Sequence, residues 1–106
     1  MNKENEPIHI GETSDIDEDC VENFEHEEID YAIYNLKIGF FATQGHCNCE
    51  EQAFLSEVTI DGEELECPSC SRIFSVTTGD PISDLEAEPL KIYDVTVSDG
   101  NLFLNI

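Results

Sequence analysis

Positive charge is nearly missing from this sequence: four Lys or Arg stand against 25 Asp or Glu, for a formal net charge of -21. So few cations cannot neutralise phosphates in useful number, which excludes nucleic acid and anionic membrane surfaces as partners. The complement expected instead is a protein with a basic docking face. No run approaches the about eighteen apolar residues of a membrane span, and the first residues show neither an apolar stretch nor a small-residue cleavage site, so neither a span nor a secretory leader is expected. Helical apolar periodicity is missing as well. So are a nucleophile elbow, a phosphate-cradling glycine loop and any carboxylate pair that stands out from the acidic background, which leaves no motif for hydrolysis or phosphoryl transfer.

What is present suits one small β domain. A chain of 106 residues with 40% hydrophobic content can bury one modest core, so a single domain over 1–106 is expected, stabilised by salt because its charges repel one another. Residues 1–30 hold most of the acidic excess, with apolar points only at Ile8, Ile10, Ile16, Val21, Phe24 and Ile29; they read as an edge strand with a solvated loop, or as partly disordered. Aromatic and β-branched runs at 31–36 and 38–42 predict a hairpin. Asp61-Gly62 predicts a tight turn between two brief strands, which would hold the cysteines on either side in register. A strand at 73–76 ends at a turn over 78–81, and the last segment, 90–97 and 102–104 around Asp99-Gly100, reads as another hairpin. Many short strands with regular turns indicate an all-β fold, an antiparallel sandwich or small barrel.

Four of the five cysteines fall into two tight pairs, Cys47 with Cys49 and Cys67 with Cys70. With neither a span nor a leader expected, the protein reads as cytoplasmic, and in a reducing compartment that pattern is metal-ligand usage rather than a disulfide framework. Cys20 stands alone and reads as a free thiol. Soft thiolates select zinc or iron, and by donor type alone zinc, a single iron and a bridged diiron cluster all fit. The one-residue gap between Cys47 and Cys49 is tighter than the usual zinc pair and suits two irons. His46 reads as an exposed loop imidazole, His9 and His26 as surface residues. Phe54, Ile82 and Leu85 read either as core or as an apolar rim around the site.

Beyond the cysteines, the chain carries Gly-Phe-Phe-Ala-Thr at 39–43, Ala-Phe-Leu-Ser at 53–56, Glu-Cys-Pro at 66–68, Phe-Ser-Val-Thr-Thr-Gly at 74–79 and Pro-Leu-Lys-Ile-Tyr at 89–93. With these segments, residues 39–106 resemble the Rieske-type ferredoxins of bacterial ring-hydroxylating oxygenase systems, whose pattern is Cys-x-His, a gap, then Cys-x2-His. The resemblance implies a Rieske-like fold with a cluster-binding subdomain of two loops over about 43–86. It implies a monomeric electron carrier, not an enzyme, that passes one electron on a 2Fe-2S cluster from a reductase to a terminal oxygenase. Cys47 and Cys67 would hold the inner iron, and Cys49 and Cys70 the outer one. The sequence departs from the family where Cys49 and Cys70 replace both histidines. It also departs where Arg72 and Phe74 stand at the serine and tyrosine of high-potential relatives, and at Leu85, where many members have proline. All-thiolate ligation predicts a potential near about -400 mV, and one nearly independent of pH, in place of the about -150 mV and above of histidine-bound centres. The competing readings are a structural or partner-binding β domain held by zinc or one iron, and a small subunit of a larger reductase.

Overall fold

A computed structural model describes residues 7–49 and 51–105. Among them the chain forms nine strands and two short 3-10 turns, and no helix is long and apolar enough to cross a membrane. β1 (Ile8–Glu12), β2 (Cys20–His26), β3 (Ile29–Leu36), β4 (Gly39–Gln44), β8 (Ile92–Ser98) and β9 (Asn101–Asn105) make an antiparallel six-stranded sheet in the order β1-β9-β8-β4-β3-β2. β5 (Thr59–Asp61), β6 (Glu64–Glu66) and β7 (Ile73–Ser75) form a separate three-stranded sheet. Both edges of the larger sheet line one cavity, with Ile10, Glu22 and Phe24 beside Ile33 and Leu102, so that sheet curls toward a barrel. The all-β class read from the sequence is the one the chain adopts.

β3 shows why the fold has two layers. Tyr31, Ala32, Ile33 and Tyr34 are all buried in succession, as happens when a strand is covered on both faces. Tyr31 and Ile33 point into the barrel core with Ile16, Ala42, Leu102 and Leu104. Ala32, Tyr34 and Leu36 point the other way, into a second core shared with Leu55, Leu65, Phe74, Val76, Leu90 and three cysteines. The Tyr34 hydroxyl lies 2.9 Å from Thr43 Oγ1. Because the Thr43 hydroxyl donates onward to the Gln44 carbonyl at 2.8 Å, Tyr34 is the donor of that buried bond. Burial also drives the Tyr34 phenol well above its ordinary pKa, so the proton stays in place.

The turns follow local chemistry. β8 and β9 join through Asp99 and Gly100, at φ of 52° and 78°, the left-handed pair that a two-residue hairpin needs. β5 and β6 join through Gly62 and Glu63: the tight turn is where the sequence expects one, but Asp61 ends β5 and pairs with Glu64 instead of sitting in the turn. The acidic head differs from expectation. Its edge strand is present as β1, but the stretch read as a solvated loop contains β2, hydrogen-bonded along its full length to β3. Val21 packs on one core and Phe24 on the other, three positions apart and so on opposite faces of the strand, which hides the one-faced alternation that marks a strand in sequence. Residues 1–6, for which disorder was one expectation, lie outside the described residues.

Candidate metal centre

Two loops on the far side of the second core carry the cysteines. The first is closed by Cys47 N–H donating to the Ala53 carbonyl at 2.9 Å, by Gln52 N–H donating to Cys49 at 3.0 Å, and by Leu55 N–H donating to Gly45 at 2.8 Å. The second joins β6 to β7: Cys67 N–H donates to Arg72 at 2.9 Å, and Ser71 N–H donates to Cys67 at 3.0 Å, with Ser71 left-handed at φ 63°. Cys47, Cys49 and Cys67 are buried and Cys70 is half-buried. Their four sulfur atoms all lie within 4.8 Å of one another. The short separations run between the loops, 3.7 Å for Cys47 and Cys70 and 3.9 Å for Cys49 and Cys67.

This donor set fits a thiolate-bound metal. Two sulfurs at metal bonds of about 2.3 Å and tetrahedral angles stand about 3.8 Å apart, the spacing of both close pairs. Four converging sulfurs with no carboxylate or imidazole among them are the soft ligand set that zinc and iron-sulfur iron prefer. Burial pushes the Cys47 and Cys67 thiols up. Burial opposes the Cys49 thiolate as well, but the Ala53 N–H, the neighbouring sulfurs and the Gln52 N–H outweigh it and bring Cys49 to about 7. The Cys70 N–H also donates to Cys67 Sγ at 3.5 Å. A metal would take its sulfur ligands as thiolates, so loading the site would release protons.

The first loop is braced against the large sheet. His46 Nδ1 lies 2.9 Å from the Gln52 carbonyl, and its Nε2 lies 2.9 Å from Asp30 Oδ2. Asn23 Nδ2 donates to the other oxygen of Asp30 at 3.0 Å. A Cβ at Gly45 would fall 2.5 Å from the Asp30 backbone, so only glycine lets the loop lie so close to the start of β3. His46 is thus not the free loop imidazole expected: it is half-buried, bonded at both nitrogens and in contact with the Phe54 ring at 4.3 Å. The Gln52 carbonyl and the Asp30 carboxylate raise its pKa.

Asn23 first, then His46, hold the Asp30 carboxyl below its usual value. A depressed carboxyl contributes stability that is present above the unfolded pKa of about 3.9 and lost as pH falls through the folded value. Asp30→Asn should therefore be less stable than the parent near pH 6, and the gap should narrow below about pH 4. Denaturant titrations of both proteins across that range check this; a gap independent of pH would contradict it.

The other candidates are placed as follows. Cys20 lies exposed on β2 and does not join the four-sulfur set. Phe54, Ile82 and Leu85 are exposed, Leu85 at 80%, so they are not core. One residue that the sequence reading passed over as a site residue is Arg72. Asp84, whose Oδ2 lies 3.3 Å from Nε, is the main cause of its raised pKa, and the Cys70 sulfur adds to it. The signal was available, for Arg72 is the sole Lys or Arg between positions 43 and 86.

No protein-family model matches the chain. It is 37% identical over 73 residues to ferredoxin CarAc of Metapseudomonas resinovorans, a match covering 69% of this chain and 67% of that protein. It is 31% identical over 80 residues to the biphenyl dioxygenase ferredoxin subunit of Pseudomonas sp. (strain KKS102), covering 76% and 73%. Among solved structures, a chain from the complex of reduced oxygenase and oxidized ferredoxin in carbazole 1,9a-dioxygenase superposes with a TM-score of 0.85 at 29% identity, covering 93% of this chain and 92% of that one. These likenesses run through the loops that bring the four sulfurs together. The chain accordingly belongs to the Rieske-type ferredoxins, the electron-carrying components of ring-hydroxylating dioxygenase systems, with cysteine where the family's pattern has both of its histidines.

Proposed function

We propose that the chain carries one electron at a time on a 2Fe-2S cluster held by Cys47, Cys49, Cys67 and Cys70, receiving it from a reductase and delivering it to a terminal oxygenase. The observation that carries this reading is the likeness to ferredoxin components of dioxygenase systems through the two loops on which the four cysteines meet. The cluster would supply the one-electron couple. The chain's own part is to supply four thiolates, to point backbone N–H groups at their sulfurs and to shield three of the four cysteines from water. Burial supports giving the inner iron to Cys47 and Cys67, the two most buried of the four, and the outer to Cys49 and Cys70. The shorter sulfur separations instead pair Cys47 with Cys70 and Cys49 with Cys67 and count against that division.

The chain acts as one domain over 1–106, with about 43–86 as the cluster-binding subdomain, a division supported by the second core and the small sheet. A net charge of -21 favours basic docking faces on both partners, and transient docking favours a monomer. Reduced-thiol usage favours the cytoplasm.

A second reading, a single zinc or iron that staples a partner-binding β domain, is favoured by one feature. All six sulfur separations fall within 4.8 Å, as around one ion, whereas two bridged irons would push the opposing pairs further apart. Elemental assay of anaerobically purified protein separates the two. The carrier reading expects a brown-red protein with iron and acid-labile sulfide in equal amounts. A colourless protein with one zinc, or iron without sulfide, would defeat it.

A further inference from the structure

Arg72 sits two positions beyond Cys70, and its own carbonyl closes the second cysteine loop by accepting from Cys67 N–H at 2.9 Å. Its backbone is therefore placed by the same hydrogen bonds that place the sulfurs. The side chain is partly exposed, and Nε lies 3.3 Å from Asp84 Oδ2. Asp84 is held in turn near β7, since Ile73 N–H donates to the neighbouring Ser83 hydroxyl at 2.9 Å. The guanidinium is thus pinned to the wall of the second cysteine loop, two positions along the chain from Cys70. No other Lys or Arg occurs on these loops. Lys37, by contrast, is committed to Glu18 and Asp19, at 3.0 Å each, at the opposite end of the β3–β4 hairpin.

We infer that Arg72 is a charge-compensating residue: its guanidinium, anchored by Asp84, offsets negative charge at Cys70 and so raises the potential at which this chain accepts an electron. The inference rests on the reading of the four cysteines as cluster ligands. Four thiolates around a diferric sulfide core give a formal charge of roughly -2, and the reduced form carries one negative charge more. A nearby cation stabilises the more negative form more strongly, so its removal makes reduction harder. Cys70 is the one half-buried member of the set, the sulfur that a side chain from the surface can reach. Arg suits the place because its guanidinium stays charged and can hold Asp84 by Nε while its other N–H groups remain free, whereas Lys offers a single point of charge.

The test is the reduction potential of the cluster-loaded parent, Arg72→Gln, Arg72→Lys and Lys37→Gln, measured by protein-film voltammetry in about 0.1 M salt. Lys37→Gln removes the same unit of charge about 20 Å away, roughly two screening lengths. Arg72→Gln should disfavour reduction about tenfold, equivalent to a fall of about 59 mV for one electron. Arg72→Lys should show less than half that fall, and Lys37→Gln next to none. Loss of cluster from Arg72→Gln but not from Arg72→Lys also upholds the inference, because charge is what the second variant keeps. An unchanged potential in Arg72→Gln overturns it, as do equal falls in both Arg72 variants, cluster loss from both, or a matching fall in Lys37→Gln. A parent free of iron and sulfide defeats the proposed function and the inference together; a loaded parent whose potential ignores Arg72 defeats the inference alone.

Discussion

Cys49→His combined with Cys70→His is expected to raise the reduction potential of the loaded protein from near -400 mV to about -150 mV or above, the gap between all-cysteine and histidine-bound 2Fe-2S centres. Two neutral imidazoles in place of two thiolates remove two negative charges from the cluster, and less negative charge makes an added electron easier to hold. The substitution has room at Cys70, which is half-buried, and is tighter at Cys49, 8% exposed on the closed first loop. It also brings in protons that can be lost. The parent's potential should stay nearly flat between about pH 6 and 10, whereas the double variant's should fall by up to about 59 mV per pH unit once its imidazoles titrate. Protein-film voltammetry over that range reads both effects. A steep slope in the parent, or a double variant that keeps its cluster and stays near the parent's potential, would contradict all-thiolate ligation.

Metal removal, by chelation or by Cys67→Ser, should open the small sheet and leave the six-stranded one standing. β5, β6 and β7 have three residues each, too few to hold together as an isolated sheet. Their buried side chains, Leu65 and Phe74, share a core with Cys47, Cys49 and Cys67. The barrel core of Ile16, Tyr31, Ile33, Ala42, Leu102 and Leu104 contains no cysteine. Amide exchange at Leu65, Cys67, Phe74 and Val76 should therefore accelerate by at least about a hundredfold on metal loss, while Ile33, Ala42 and Leu104 keep most of their protection. Uniform acceleration through both sheets would show one cooperative unit in place of a metal-dependent subdomain.

The hairpins and the ligand set were legible because each depends on neighbours in sequence. Asp99-Gly100 forms the turn between β8 and β9, and Gly62 opens the turn between β5 and β6, one residue later than an Asp61-Gly62 pair would place it, since left-handed backbone is a property of the residues themselves. The cysteine spacing revealed chemistry without any knowledge of where the loops go. β2 was not legible: Val21 and Phe24 serve two different cores, and the strand exists because β3 offers it an open edge. The bonds of His46 were hidden for the same reason, as Asp30 lies sixteen positions away and meets it only where β3 passes the first loop.

An all-β class, the four thiol ligands and the strong negative charge were written into the order and kind of the residues, because turn preference, ligand softness and formal charge are local properties. Which sulfur faces which, how deeply each is buried, where His46 is braced and what Arg72 touches are long-range matters. They depend on the packing of two sheets against opposite faces of β3, and burial and charge proximity arise only when distant segments share one space.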